Sequence, residues 1–269
     1  MPASDVLRLS EQLASVMREA GALARATASR QFKRWTKGAE GSPVSEGDIV
    51  VNEFLYERLS TLVNAAAWLS EESHDRPPDR TLPLVWIVDP IDGTRAYISG
   101  RADWTISVAL AEHGRPVIAA VYGPVTDELF LALHGRGATL NGTPIRATPG
   151  KTLAGARLAG PKRYLERLSN MSPGIVAQPK VHSLALRMAR VAQGALEAAC
   201  ASAGSHDWDL AAADLLVHEA GGALTYFTGH PLKYNEPQAA HGALIAAGHG
   251  RHAALLELVR DRETEFASA

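Results

Sequence analysis

From Ser4 to about Arg30, the apolar positions Leu7, Leu9, Leu13, Val16, Met17 and Ala20 recur at mostly helical spacing, which predicts a long amphipathic helix. A loop rich in Gly, Lys and Pro (TKGAEGSP) follows, and Ser45-Glu46-Gly47-Asp48 then opens a second helix with the stripe Val51, Leu55, Leu59, Leu62. Ser45 and Asp48 have the spacing of a capping box with Asp in the Glu position, which puts Asp48 in the first turn. The period then changes. Leu84 to Val88 (LVWIV) is a short apolar run bounded by Pro83 and Asp89-Pro90, predicting a strand buried on both faces. Trp104 to Leu110, Val117 to Tyr122 and Leu129 to Ala132 continue as strands, and Asn141-Gly142 predicts a type I′ hairpin turn. The first half, residues 1–150, is therefore two helices on a largely antiparallel sheet. Glu72 to Leu82 reads as an exposed loop.

Beyond Thr148 to Thr152 the pattern alternates. Arg157 to Ala159, Ile175 to Ala177, Ala195 to Ala199, Ala223 to Tyr226 and Ala243 to Ala247 read as strands. Tyr164 to Leu168, Ser183 to Val191, Leu210 to Glu219 and His252 to Val259 read as helices, the third stopped by Gly221-Gly222. Residues 151–269 thus form a second, α/β half, and the fold class is α/β (α+β).

Composition excludes several function classes. The chain has 269 residues, with 27 Lys+Arg against 29 Asp+Glu and a net charge of -2. Without a basic block, a nucleic acid polymer is not an expected partner. The single Cys200 cannot form an internal disulfide, and no apolar run approaches the length of a membrane span or signal peptide, so a reducing, cytoplasmic setting is expected.

Carboxylates carry the candidate chemistry. Asp48, the Glu71-Glu72 pair, Asp89 with Asp92, and Asp209 each stand at the end of an apolar element. Singly they have simpler readings: Asp-Pro and Asp-Gly are turn dipeptides, a Glu pair can be a solvated loop, and Asp209 can be a helix N-terminal acid. Two carboxylates closing a buried strand nevertheless need a compensating cation, and an oxygen-only ligand set suits Mg²⁺. Gly93 and Thr94 can present backbone N–H groups there to a phosphate.

Together, Leu-Ser-Glu71-Glu72-Ser73, Trp-Ile-Val-Asp89-Pro-Ile-Asp92-Gly93-Thr94 and Trp208-Asp209-Leu-Ala-Ala resemble the Mg²⁺-dependent, lithium-sensitive phosphomonoesterases of the inositol monophosphatase superfamily, from about Lys37 to Ala247. The resemblance implies a layered α-β-α-β-α sandwich, a small phosphorylated metabolite as substrate, no membrane, and two or three Mg²⁺ ions per active site. It implies that Glu71, Asp89 and the Ile91 carbonyl hold the first ion. Asp89, Asp92 and Asp209 hold the second, and Glu71 also faces a third. Asp48 and the Thr94 hydroxyl align and deprotonate the attacking water. Gly93, Thr94, Asp92, Asp209 and Ser183 meet the substrate. Many members dimerise, so the resemblance leaves both a homodimer and a monomer open.

The substrate branch is read from flanking residues. Gly93-Thr94-Arg95-Ala96-Tyr97-Ile98 is similar to the 3′(2′),5′-bisphosphate nucleotidases and histidinol-phosphate phosphatases, whereas inositol monophosphatases continue Gly-Thr-x-Asn-Phe. Asp103-Trp104-Thr-Ile-Ser-Val resembles the nucleotidase branch most closely. Ser202 stands where inositol monophosphatases carry a Glu that contacts inositol, and His182 stands before Ser183 where the family usually has Gly. Lys162 and Arg163, at a strand-to-helix turn, could meet a second phosphate or form a solvated helix start. The expectation is a 3′-phosphoadenosine 5′-phosphate phosphatase, with an inositol-1-phosphatase or a histidinol-phosphate or sugar-phosphate phosphatase as the alternative. A catalytically silent interaction protein is the reading from a different class.

Overall fold

The computed structural model describes residues 3–30, 32–37, 42–72, 82–262 and 264–267. The Glu72 to Leu82 loop lies mostly outside the described residues. In chain order the first half contains α1 (Ala3–Ala28), β1 (Arg34–Lys37), β2 (Ser42–Ser45), α2 (Glu46–Leu62), β3 (Ala67–Ser70), β4 (Leu84–Asp92), α3 (Thr94–Ile98), β5 (Thr105–Glu112), β6 (Arg115–Gly123), β7 (Glu128–Leu133), β8 (Gly137–Leu140) and β9 (Thr143–Ile145). The second contains β10 (Arg157–Ala159), α4 (Lys162–Met171), β11 (Val176–Ala177), α5 (Leu184–Ala192), β12 (Ala198–Ala201), β13 (Ser205–His206), α6 (Asp207–Glu219), β14 (Gly222–Tyr226), β15 (Ala240–His241), β16 (Leu244–Gly248), α7 (His249–Val259) and α8 (Thr264–Ala267).

Strands β3 to β9 form one seven-stranded sheet in sequence order, with β3 parallel to β4 and every later pair antiparallel. A second sheet has the order β11-β10-β12-β16-β14. Side chains alternate across each strand, and here both faces are apolar. Trp86, Val88, Ile106, Val108 and Leu110 pack beneath α1 and α2, while Val85, Ile87, Ala109 and Ala111 face α5 and α6. On the second sheet, Ala199, Leu244 and Ala246 face those same helices, and Ala198, Cys200, Ile245 and Ala247 pack with α4, α7 and α8. The layers run helix, sheet, helix, sheet, helix, as the resemblance implies, with one core around the middle helices reaching both sheets and one core on the outer face of each sheet. The middle layer explains the composition of α6, whose Leu and Ala residues are buried almost all round because a sheet covers each side.

Several boundaries differ from the sequence reading. The segment read as loop from Thr36 to Pro43 contains parts of a two-stranded hairpin, β1 with β2, which the sequence hides because three of the four β1 residues are exposed. The strand read from Ala195 begins at Ala198, since the Ala195 and Leu196 N–H groups close the end of α5 on the Arg190 carbonyl. Helix α6 starts at Asp207, three residues before the expected Leu210. The Asn141-Gly142 turn is as expected, with both residues at positive φ (49° and 80°). No helix of the described residues is long and apolar enough to cross a membrane.

Candidate active site

The site forms where β4 loses its regularity. On an even strand Asp89 and Asp92, three residues apart, would face opposite sides. Pairing with β5 shifts register between them. Ligand oxygens of Asp89 and Asp92 consequently come within 4.8 Å of each other and of an oxygen of Asp209. Asp209 arrives from the first turn of α6 and is held by a capping box, with the His206 N–H donating to its Oδ2 at 2.6 Å. Asp92 accepts from Ser183 Oγ and the Ala185 N–H, both 2.6 Å from Oδ2, and from the Leu184 N–H at 3.1 Å. Ser183 is fully buried beneath Asp92 and caps α5 through the Leu186 N–H. It positions a carboxylate from behind.

Glu71 follows β3, where its N–H donates to the Val88 carbonyl and aligns it with the end of β4. It lines one cavity of about 190 Å³ with Asp89, Ile91, Asp92, Thr94 and Asp209. Lys37, carried by the hairpin, closes the edge at 3.1 Å from Glu71 Oε1 and 2.5 Å from Glu72 Oε1. Asp48 lies deeper. Its Oδ2 accepts from the Ser45 N–H (2.8 Å) and Ser45 Oγ (2.5 Å), completing the expected capping box. Its Oδ1 is 3.2 Å from Thr94 Oγ1, which is also 3.2 Å from the Ile91 carbonyl. Thr94 thus links the buried Asp48 to the cavity. Gly93, at φ 95°, lets the chain turn sharply between Asp92 and α3; a Cβ there would also lie 3.2 Å from the Ser183 nitrogen.

Charge is badly compensated inside this cluster. Burial raises Asp89 well above the usual carboxylate range, and the charges of Glu71, Asp92, Asp209 and Asp48 raise it further. Asp209 is likewise raised by burial and by Asp92. Burial pushes Asp92 up to about 6 against the hydrogen bonds from Ser183 and Ala185, and Asp48 up to about 7 against those from Ser45. Such a set cannot ionise together without an added positive charge. The donors are all oxygens, carboxylates plus the Ile91 carbonyl, which is the chemistry a hard divalent cation requires.

The other expected residues divide. Lys162, at the start of α4, lines a separate cavity of about 990 Å³, and Arg163 stacks over the Tyr164 ring at 4.9 Å. Lys180, which the sequence reading passed over, lines both the large cavity and the acidic one. A single Lys in Gln-Pro-Lys carries no local signal of this. His182 and Arg95 also line the acidic cavity.

A buried carboxylate cluster at the broken end of a central strand, in a five-layered sandwich, is the arrangement of a metal-dependent phosphatase fold. The profile of the inositol monophosphatase family matches residues 5–264, and the chain belongs to that family. Among curated relatives, Nus factor SuhB of Escherichia coli strain K12 is 36% identical over 153 residues, 54% of this chain and 57% of that protein. The chain thus spans a little over half the length of the relatives it matches there. Nus factor SuhB of Xylella fastidiosa is 34% identical over 185 residues, covering 65% of this chain and 67% of that protein. Of solved structures, extragenic suppressor protein suhB from Bartonella henselae superposes with a TM-score of 0.82 at 26% identity, over 94% of this chain and 98% of that one. A staphylococcal inositol monophosphatase-1, an inhibitory complex soaked in 100 mM LiCl, shares the fold with a TM-score of 0.84 at 20% identity, over 96% of both chains.

Proposed function

We propose that the chain is a Mg²⁺-dependent phosphomonoester hydrolase that removes the 3′-phosphate of 3′-phosphoadenosine 5′-phosphate, leaving AMP and phosphate. The observation that carries the hydrolase reading is the convergence of Glu71, Asp89, Ile91, Asp92, Thr94 and Asp209 on one cavity, with Asp48 behind Thr94. Glu71, Asp89, the Ile91 carbonyl, Asp92 and Asp209 would hold two or three Mg²⁺ ions. Bound there, Mg²⁺ supplies Lewis acidity that neutralises phosphate charge and makes water a better nucleophile. Thr94 Oγ1 receives the proton of the attacking water while passing its own to Asp48 Oδ1. Asp48 Oδ1, 3.2 Å from that hydroxyl, is the acceptor within reach of the proton.

The substrate choice is supported by the neighbouring cavity. Its volume of about 990 Å³ exceeds what a phosphorylated cyclitol fills, and Lys162, Lys180 and Arg187 on its wall offer cations to a second phosphate. Lys180 faces both compartments, so one ligand could span them. The second reading is a catalytically silent interaction protein on the same scaffold. Phosphate release with and without Mg²⁺ separates the two. The hydrolase reading expects Mg²⁺-dependent release, with the highest kcat/KM for 3′-phosphoadenosine 5′-phosphate. A clear preference for inositol 1-phosphate or histidinol phosphate would overturn the substrate, and no release from any of the three would favour the interaction reading.

A further inference from the structure

His182 stands one residue before the Ser183 that holds Asp92. Its ring is fixed. Nδ1 lies 2.7 Å from Asp103 Oδ2, the same oxygen that accepts the His182 backbone N–H at 2.9 Å. Against its burial, hydrogen bonds from the His182 ring and backbone and from Arg101 hold the Asp103 carboxyl below its usual range. An ionised carboxylate only accepts hydrogen bonds, so the ring proton sits on Nδ1. In the neutral ring Nε2 is therefore a lone-pair acceptor, and among the described residues it has no hydrogen-bond partner.

His182 also lines the acidic cavity beside Asp92, Gly93, Thr94 and Asp209, with 24% of its side chain exposed. Its nitrogens are not among the ligand atoms of the Asp89, Asp92 and Asp209 group, which lie within 4.8 Å of one another. Of the groups that the substrate itself brings to this place, a pre-oriented acceptor next to the phosphate site can take one as its partner. That partner is a hydroxyl on the alcohol being released, because the phosphate itself offers only acceptors when fully ionised.

We infer that His182 Nε2 accepts a hydrogen bond from a substrate hydroxyl flanking the scissile ester, so that the Asp103–His182 pair selects phosphate esters of polyols over esters of simple alcohols. The inference rests on the phosphatase reading, though not on its choice of nucleotide. His182 is the contacting residue, and Asp103 is a positioning residue that fixes tautomer and ring plane.

The test compares two esters of a secondary alcohol, glycerol 2-phosphate with flanking hydroxyls and isopropyl phosphate without them, in the Mg²⁺-loaded full chain. A single such hydrogen bond predicts at least a tenfold preference in kcat/KM for the hydroxylated ester. In His182→Ala the ratio should fall to within about threefold of unity, and Asp103→Ala should lower it in the same direction. His182→Gln, whose amide oxygen can accept, should recover part of it. The ratio is internal to each variant, so a general loss of folding or metal binding leaves it unmoved. Release from both esters without preference in the wild type, or a preference that survives in His182→Ala, would overturn the inference and leave the phosphatase reading standing. No release from either ester would overturn both.

Discussion

Replacing Asp89 by Asn should produce opposite effects with and without divalent cation, and the sign reversal is the informative quantity. Asp89 is 1% exposed and its ligand oxygen lies within 4.8 Å of those on Asp92 and Asp209. At that separation and an effective dielectric of about 20, each pair of ionised carboxylates repels by about 3.5 kcal/mol. Protonation relieves part of this, because the group titrates well above the usual range. Asn keeps an oxygen for the Ile91 N–H that Asp89 Oδ1 accepts at 3.0 Å, so the substitution removes charge and little else. In EDTA at pH 8, Asp89→Asn should therefore melt several degrees above wild type. In Mg²⁺ the order should change: at a hundred times its dissociation constant, one ion stabilises the wild type by about 2.7 kcal/mol. For a chain of this size that corresponds to roughly 5–10 °C, and the variant should gain little of it. Differential scanning fluorimetry and phosphate release on the same preparations supply the four melting points and the rates. Turnover within tenfold of wild type, or a variant that melts lower in EDTA while still responding fully to Mg²⁺, would refute the shared-ligand assignment.

How much of this was legible in the sequence depends on whether a residue's partner is local. Asp48 could be placed because it is the third residue of a capped helix, and a cap spans three residues, whereas Asp209 was legible only as an acid at a helix start, its cap on His206 hidden because the helix was expected from Leu210. The LVWIV strand was legible because burial on both faces requires an unbroken apolar run. Its continuation through Asp92 was not, since Pro90 and two carboxylates end the apolar pattern while backbone pairing with β5 carries on. The five layers came from resemblance; periodicity alone gave two halves and no rule for stacking them. The Asp103–His182 pair joins residues 79 positions apart, and neither carries a local sign of the other. Lys180 was invisible for the same reason, since only the folded chain brings it between two cavities. The net charge of -2 concealed most. Asp48, Glu71, Asp89, Asp92 and Asp209 gather at one place, and an average over 269 residues cannot register that.

Gly222→Ala should destabilise without affecting the site's chemistry, because a Cβ there would lie 2.7 Å from the Ala247 carbonyl in the neighbouring strand; a chemical melt should show a loss of about 1–3 kcal/mol. Lithium should inhibit phosphate release competitively with Mg²⁺, and insensitivity at high millimolar concentrations would count against the family's metal chemistry here. The pH prediction concerns His252, which is 7% exposed and lowered by burial, and secondarily by His249, to about 4. Its Nε2 is 2.9 Å from Thr225 Oγ1, whose own proton goes to the Tyr226 carbonyl, so the neutral ring is the donor in a satisfied pair. Since the folded value lies below the unfolded one of about 6.5, the unfolded chain binds the extra proton first. Stability from this group is therefore complete above about 6.5 and is lost as pH falls toward 4. His252→Gln can donate to Thr225 without titrating, so it should flatten that part of the pH–stability curve while costing little at pH 8. An unchanged acid limb in the variant would mean that other groups, the site carboxylates excepted, set the acid stability. Those carboxylates are raised above their unfolded values and act in the opposite direction, favouring the metal-free fold as pH falls.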